Sequence, residues 1–301
     1  MSVYPTDGGY FSEKKLPESL QFLFRLSRLF GLLPYNASHS ISRGWLVYSI
    51  FPMAFMICGS TGTCIYSLYF TDYLQKNPSV FTMTLLYLTQ QGMQVLCLFC
   101  HILSVGLYKD DFDSVLKPLP EWAYTGEKSK FAGFWTNCGV LFLLLYYICT
   151  PVLAETSWTN NIWYFFVFFN EICIYFILIQ FCTFLEIIET QLKNLTLLLT
   201  RNRKLVPLTE THYTLVSTAQ TVNSVYSWQI LILCTLIFIN FVSWLFNAMQ
   251  DVMSTTNEIK PFMVLLKILY CIWQIVNIYF IAGSCEGVVE NVSSHILQTC
   301  T

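Results

Sequence analysis

Apolar residues run almost unbroken through six stretches of this chain, Trp45 to Phe70, Val80 to Leu107, Phe131 to Ala154, Asn161 to Ile187, Ser227 to Met249 and Pro261 to Cys285, with polar residues gathered between them. A helix needs about 20 mostly apolar residues to cross a bilayer, so each stretch predicts one transmembrane helix. The expected fold is all-α, a polytopic bundle of six spans. Before the first span, Leu20, Leu23, Phe24 and Phe30 alternate with Arg25 and Arg28 until Gly31 and Pro34 end the pattern. This predicts a short amphipathic helix lying along the headgroups. Beyond span four the helical spacing persists through Leu185, Ile188, Leu192, Leu195 and Leu199, and Leu215, Val222 and Val225 lead back into span five. Such a stripe outside the spans marks a surface for a partner. The expected organisation is an N-terminal segment (1–44), spans one to four (45–187), a helical extension (188–226), spans five and six (227–285) and a C-terminal end (286–301).

Charge orients these elements. Five Lys and Arg precede span one, four lie between spans two and three, and four between spans four and five, all on one side. The opposite side holds Lys76 and Lys260, and Lys267 lies within span six. Cytoplasmic loops carry the basic excess, so the N-terminus is expected in the cytoplasm. Sequons at Asn36, Asn194 and Asn291 fall on that side and are expected to stay unmodified. No cleavable signal peptide is expected in the first 44 residues, and span one would direct insertion.

Only 11% of residues are charged, far below the roughly one-quarter of a soluble domain. The net charge of −2 and the scattered basic residues give no signal for nucleic acid. Of twelve cysteines, eleven lie in or at spans and Cys300 beyond them, which favours packing over disulfides. Cys97 and Cys100 form an isolated C-x-x-C, a weak metal signal without a second pair.

The run Leu23 to Tyr35, LFRLSRLFGLLPY, resembles the start of many insect gustatory receptors, and Gly283 to Leu297, GSCEGVVENVSSHIL, resembles the cytoplasmic exit from their sixth span. The resemblance implies a plasma-membrane chemoreceptor of inverted topology that takes a small tastant. It further implies a homo- or heterotetramer with other gustatory receptor subunits, joined through inner extensions of helices four to six, that gates a cation channel without a G protein. It also implies a seventh, pore-lining span with a Thr-Tyr and Gln-Phe signature, beyond Thr301, so these 301 residues are expected to be a truncated form in which pore formation is in doubt.

Polar residues inside spans usually face the bundle or a wet cavity, because hydrocarbon cannot satisfy them. Tyr87, Gln90, Gln94, Cys97 and His101 share one face of span two. Asn240, Trp244, Asn247 and Asp251 do so in span five, and Lys267, Tyr270, Gln274 and Asn277 in span six. Span four adds Tyr164, Phe168 and Glu171. The expected site is an aromatic and amide-lined pocket in the outer half of the bundle, drawn from Gln90, Gln94, Tyr164, Phe168, Glu171, Trp244, Asn247, Lys267, Tyr270 and Gln274. Lys267 is expected to pair with Glu171 or Asp251. The competing reading of these stripes is interhelical hydrogen bonding that only holds the bundle together. His101 is read as a packed donor rather than a proton relay, since the other histidines lie outside the spans.

No catalytic triad, H-E-x-x-H or nucleotide-binding glycine loop occurs, so neither an enzyme nor a cofactor is expected. Arginine is absent from all six spans and no potassium-filter motif occurs, which argues against a voltage-gated channel. A secondary transporter is the alternative, with Pro52, Gly59, Gly62 and Pro151 as possible breaks in its helices.

Overall fold

The computed structural model describes residues 18–32, 43–70, 78–116, 130–154, 158–201, 205–253 and 261–300. Their order is α1 (Glu18–Leu29), α2 (Arg43–Phe70), α3 (Pro78–Leu107), α4 (Lys109–Leu116), α5 (Lys130–Ala154), α6 (Trp158–Arg201), α7 (Leu205–Met253) and α8 (Pro261–Cys300), with no strand among the described residues. A helix coincides with each of the six expected spans. Four of them, α3, α6, α7 and α8, carry stretches long and apolar enough to cross a membrane, while the apolar stretches of α2 and α5, Val47–Gly62 and Asn137–Cys149, are shorter. No break occurs at the prolines proposed for a transporter, since α2 runs through Pro52 and α5 through Pro151. Pro207 falls in the first turn of α7, where a missing N–H removes no intrahelical bond.

α6 is the centre of the bundle, packed against α1, α2, α3, α5, α7 and α8. Every residue from 170 to 185 is buried, as expected of a helix that is apolar on all sides. Burial reaches 78% along the apolar stretch of α6, against 33% to 44% in α3, α7 and α8. Those outer helices instead expose large apolar side chains at helical spacing, as with Leu265, Ile268, Ile272, Ile275 and Tyr279 on α8. Such a belt suits lipid as solvent. Small residues bring the inner contacts close. A Cβ at Gly59 would overlap the Phe166 ring, and one at Gly139 the Tyr175 ring.

α1 corrects one expectation. Its apolar face is taken up by protein rather than left for headgroups, because Leu23, Ser27 and Leu32 are fully buried and Phe30 packs on Phe176 at 5.4 Å. Phe22, Arg25 and Leu29 remain exposed on the opposite face. The helix ends at Gly31, whose φ of 74° is easily adopted only without a Cβ. Gly31 N–H donates to Arg28 C=O at 3.0 Å and Leu32 N–H to Ser27 C=O at 2.8 Å, the pair of bonds that closes a Schellman motif. Leu32 C=O then accepts from His101 Nε2 at 2.9 Å, which fixes that histidine as a packed donor. Nearby, Gln180 Nε2 donates to Ser27 Oγ and Tyr226 OH to Gln180 Oε1, tying α1 to α6 and α7.

Candidate functional site

The polar faces of α3, α6, α7 and α8 converge on one carboxylate. Glu171 sits within the continuously buried stretch of α6, where the helix periodicity aims it at α3 and α7. Gln94 Nε2 donates to Glu171 Oε1 at 2.8 Å, and Asn240 Nδ2 donates to the same oxygen at 3.2 Å. Asn240 Nδ2 also reaches the Tyr270 hydroxyl at 3.4 Å, and the Tyr270 hydroxyl and the Gln90 side chain are further hydrogen-bonding partners of Glu171. No cation among the described residues pairs with this carboxylate; Lys267 Nζ is held by Asp251 at 2.5 Å instead. Of the two acids expected as partners for Lys267, the structure therefore selects Asp251.

An aromatic wall adjoins the cluster. Tyr270 lies 4.8 Å from Tyr146 and 5.3 Å from Trp244, and Trp244 meets Tyr146 edge-on at 5.7 Å. Tyr147 packs on Phe168 at 5.3 Å. These ring pairs lie within the separations at which edge and offset packing is favourable.

The empty space beside the cluster is small. One cavity of about 20 Å³ is lined by Glu171, Asn240, Gln274 and Asn277 among mostly apolar neighbours. A second, also about 20 Å³, is bounded by Trp135, Phe280, Ile179, Cys182 and Thr183. Tyr175, Leu178 and Asn277 line both, so the two are adjacent. Each holds about one water, well short of the roughly 300 Å³ or more of a small-molecule pocket.

Of the expected site residues, the structure brings Gln90, Gln94, Glu171 and Tyr270 into one hydrogen-bonded group and sets Trp244 against Tyr270. Gln274 lines the first cavity, Phe168 joins Tyr147, and Asn247 is buried about two helical turns beyond Asn240. Lys267 stands apart with Asp251. The side chain of Tyr164 lies outside the described residues, as do those of Tyr87 and His295 and the whole of Asn36, His39, Lys76 and Lys260. Asn240 and Asn277 belonged to the recognised stripes without being assigned to the site, and their spacing was the available signal. Tyr146 and Tyr147 carried none, being tyrosines in a run of leucine and phenylalanine. The ten cysteines described are free, and no cluster of potential metal ligands occurs among the described residues.

A family model described as 7tm chemosensory receptor matches residues 20–300. No curated protein matches the chain.

Proposed function

The chain belongs to the 7tm chemosensory receptor family, and from that premise we propose that it is a gustatory receptor subunit that takes a small tastant into the cleft between α3, α6, α7 and α8. The observation that carries this reading is the Glu171 cluster, in which ionisable and amide groups are concentrated at the heart of a bundle whose outside is built for lipid. Groups of this kind are expensive inside a membrane and commonly mark functional sites. In this reading all six long helices cross the plasma membrane, the N-terminus is cytoplasmic, and 188–226 forms the inner extension through which four subunits meet. The complete tetramer gates a cation channel directly.

The cleft is closed, with room for water alone, so a tastant must bind a conformation in which α7 and α8 stand further from α6. Its differential affinity for that conformation is what shifts the population. A tastant that bound both forms equally would signal nothing.

The test is alanine at Gln90, Asn247 and Gln274 in the full chain, with tastant-evoked cation current and surface abundance measured together. Loss of response at unchanged surface abundance supports the pocket. Full responses in all three variants would leave these side chains as packing only. An N-terminal tag is expected to stay inaccessible to antibody on intact cells and to become accessible on permeabilisation.

A further inference from the structure

The hydrogen-bond inventory around Glu171 is unbalanced. Asn240 and Gln94 both turn their NH₂ groups to the same Glu171 oxygen, so their carbonyl oxygens point away from it. Gln94 Oε1 and Asn240 Oδ1 consequently have no partner among the described residues, and Asn277 Oδ1, on the shared wall of the two cavities, has none either. All three oxygens are buried, and the three residues are at most 6% exposed. A carboxylate without a cation among the described residues therefore lines the same cavity as two residues with unused acceptors, Asn240 and Asn277. What would satisfy such a group has several donors, a positive charge and no acceptor.

A primary ammonium group has those properties, since it offers three N–H donors and no lone pair. It is also close in size to the water that the first cavity accommodates. The adjoining cavity is different in kind. Trp135 and Phe280 stand edge-on with centroids 4.2 Å apart, and Ile179 and Leu178 complete an apolar wall. From Glu171 to Cys182 the lining residues of α6 climb about 16 Å at 1.5 Å per residue, the length of a short arylalkyl chain with space beyond.

We infer that the ligand of this cleft is a primary amine, its ammonium seated between Glu171, Asn240 and Asn277 and its aromatic or aliphatic tail lying along α6 against the Trp135 and Phe280 pair. The inference rests on the receptor reading and narrows it to one class of ligand. Neutral polyols, which bring as many acceptors as donors, fit this inventory poorly.

The test uses the purified full chain in lipid nanodiscs, with 2-phenylethylamine and its neutral counterpart 2-phenylethanol, and reads direct binding by calorimetry. The amine is expected to bind at least about tenfold more tightly than the alcohol, the factor given by one charge-assisted hydrogen bond of about 1.4 kcal/mol or more. Glu171→Gln keeps the side-chain volume and should abolish that preference, bringing amine affinity to that of the alcohol. Should that variant not fold, Asn277→Leu serves the same purpose, with an expected several-fold loss for the amine alone. Equal binding of amine and alcohol overturns the amine assignment and leaves the cleft as a receptor site. Saturable binding of sodium chloride that excludes the amine would make it an inorganic cation site and overturn the assignment too. If neither phenyl compound binds and Gln90→Ala, Asn247→Ala and Gln274→Ala all keep full tastant responses, the receptor reading of the cleft falls with it.

Discussion

The Tyr270 hydroxyl joins three elements, because it receives Asn240 from α7 and serves Glu171 on α6 while belonging to α8. Its removal in Tyr270→Phe keeps the ring contacts with Tyr146 and Trp244 and deletes only the polar link. The expected cost is about 1 kcal/mol, the scale of an interhelical hydrogen bond in a membrane, read as a lower melting temperature of the protein in nanodiscs. Stability equal to the parent would mean that the hydroxyl is not needed by the cluster. At this scale the sequence was informative about faces and silent about partners. Gln90, Gln94, Glu171 and Tyr270 were placed on inward faces by spacing of three or four residues alone. That Lys267 would choose Asp251 over Glu171 depends on helix rotation and relative height, which no spacing within one helix encodes. The contribution of Tyr146 and Tyr147 was invisible for a related reason: an aromatic side chain in an apolar run looks the same whether it faces lipid or a polar neighbour.

Between elements, glycines decide how near two helices come. Gly59 on α2 admits the Phe166 ring of α6, whereas Gly62, one turn later, has no neighbour within 4 Å of where a Cβ would stand. Gly59→Ala is therefore expected to destabilise by about 1–3 kcal/mol through overpacking. Gly62→Ala should be neutral or stabilising by up to about 1 kcal/mol through helix propensity. Thermal unfolding of the two variants side by side distinguishes them, and equal effects would argue against the α2–α6 contact. Helix existence was readable along the chain because long apolar runs dominate any local signal. The fate of α1 was not. Its amphipathic pattern states that one face seeks an apolar surrounding, and lipid and protein satisfy that equally. Only the bonds from His101 to Leu32 and from Gln180 to Ser27, each made by residues far apart in the chain, select protein.

For the molecule as a whole, apolar length and the residues matched by the family model agree on a multi-pass chemosensory receptor of helical architecture. The charge asymmetry from which an orientation is expected is a property of the loops, and helix packing does not carry it. Packing does carry the rank of the helices. α8 turns one side to lipid and one to protein, so harm from substitution along it should rise and fall with a period of 3.6 residues. α6 has no indifferent side between 170 and 185. A saturation scan scored by surface abundance is expected to return a flat band of intolerance there and a periodic trace over Leu265 to Tyr279. A clear 3.6-residue rhythm in the α6 band would contradict its central place. Inheritance follows the same geometry: substitutions can accumulate on the outer helices half a face at a time, while change in α6 must await compensating change in a neighbour.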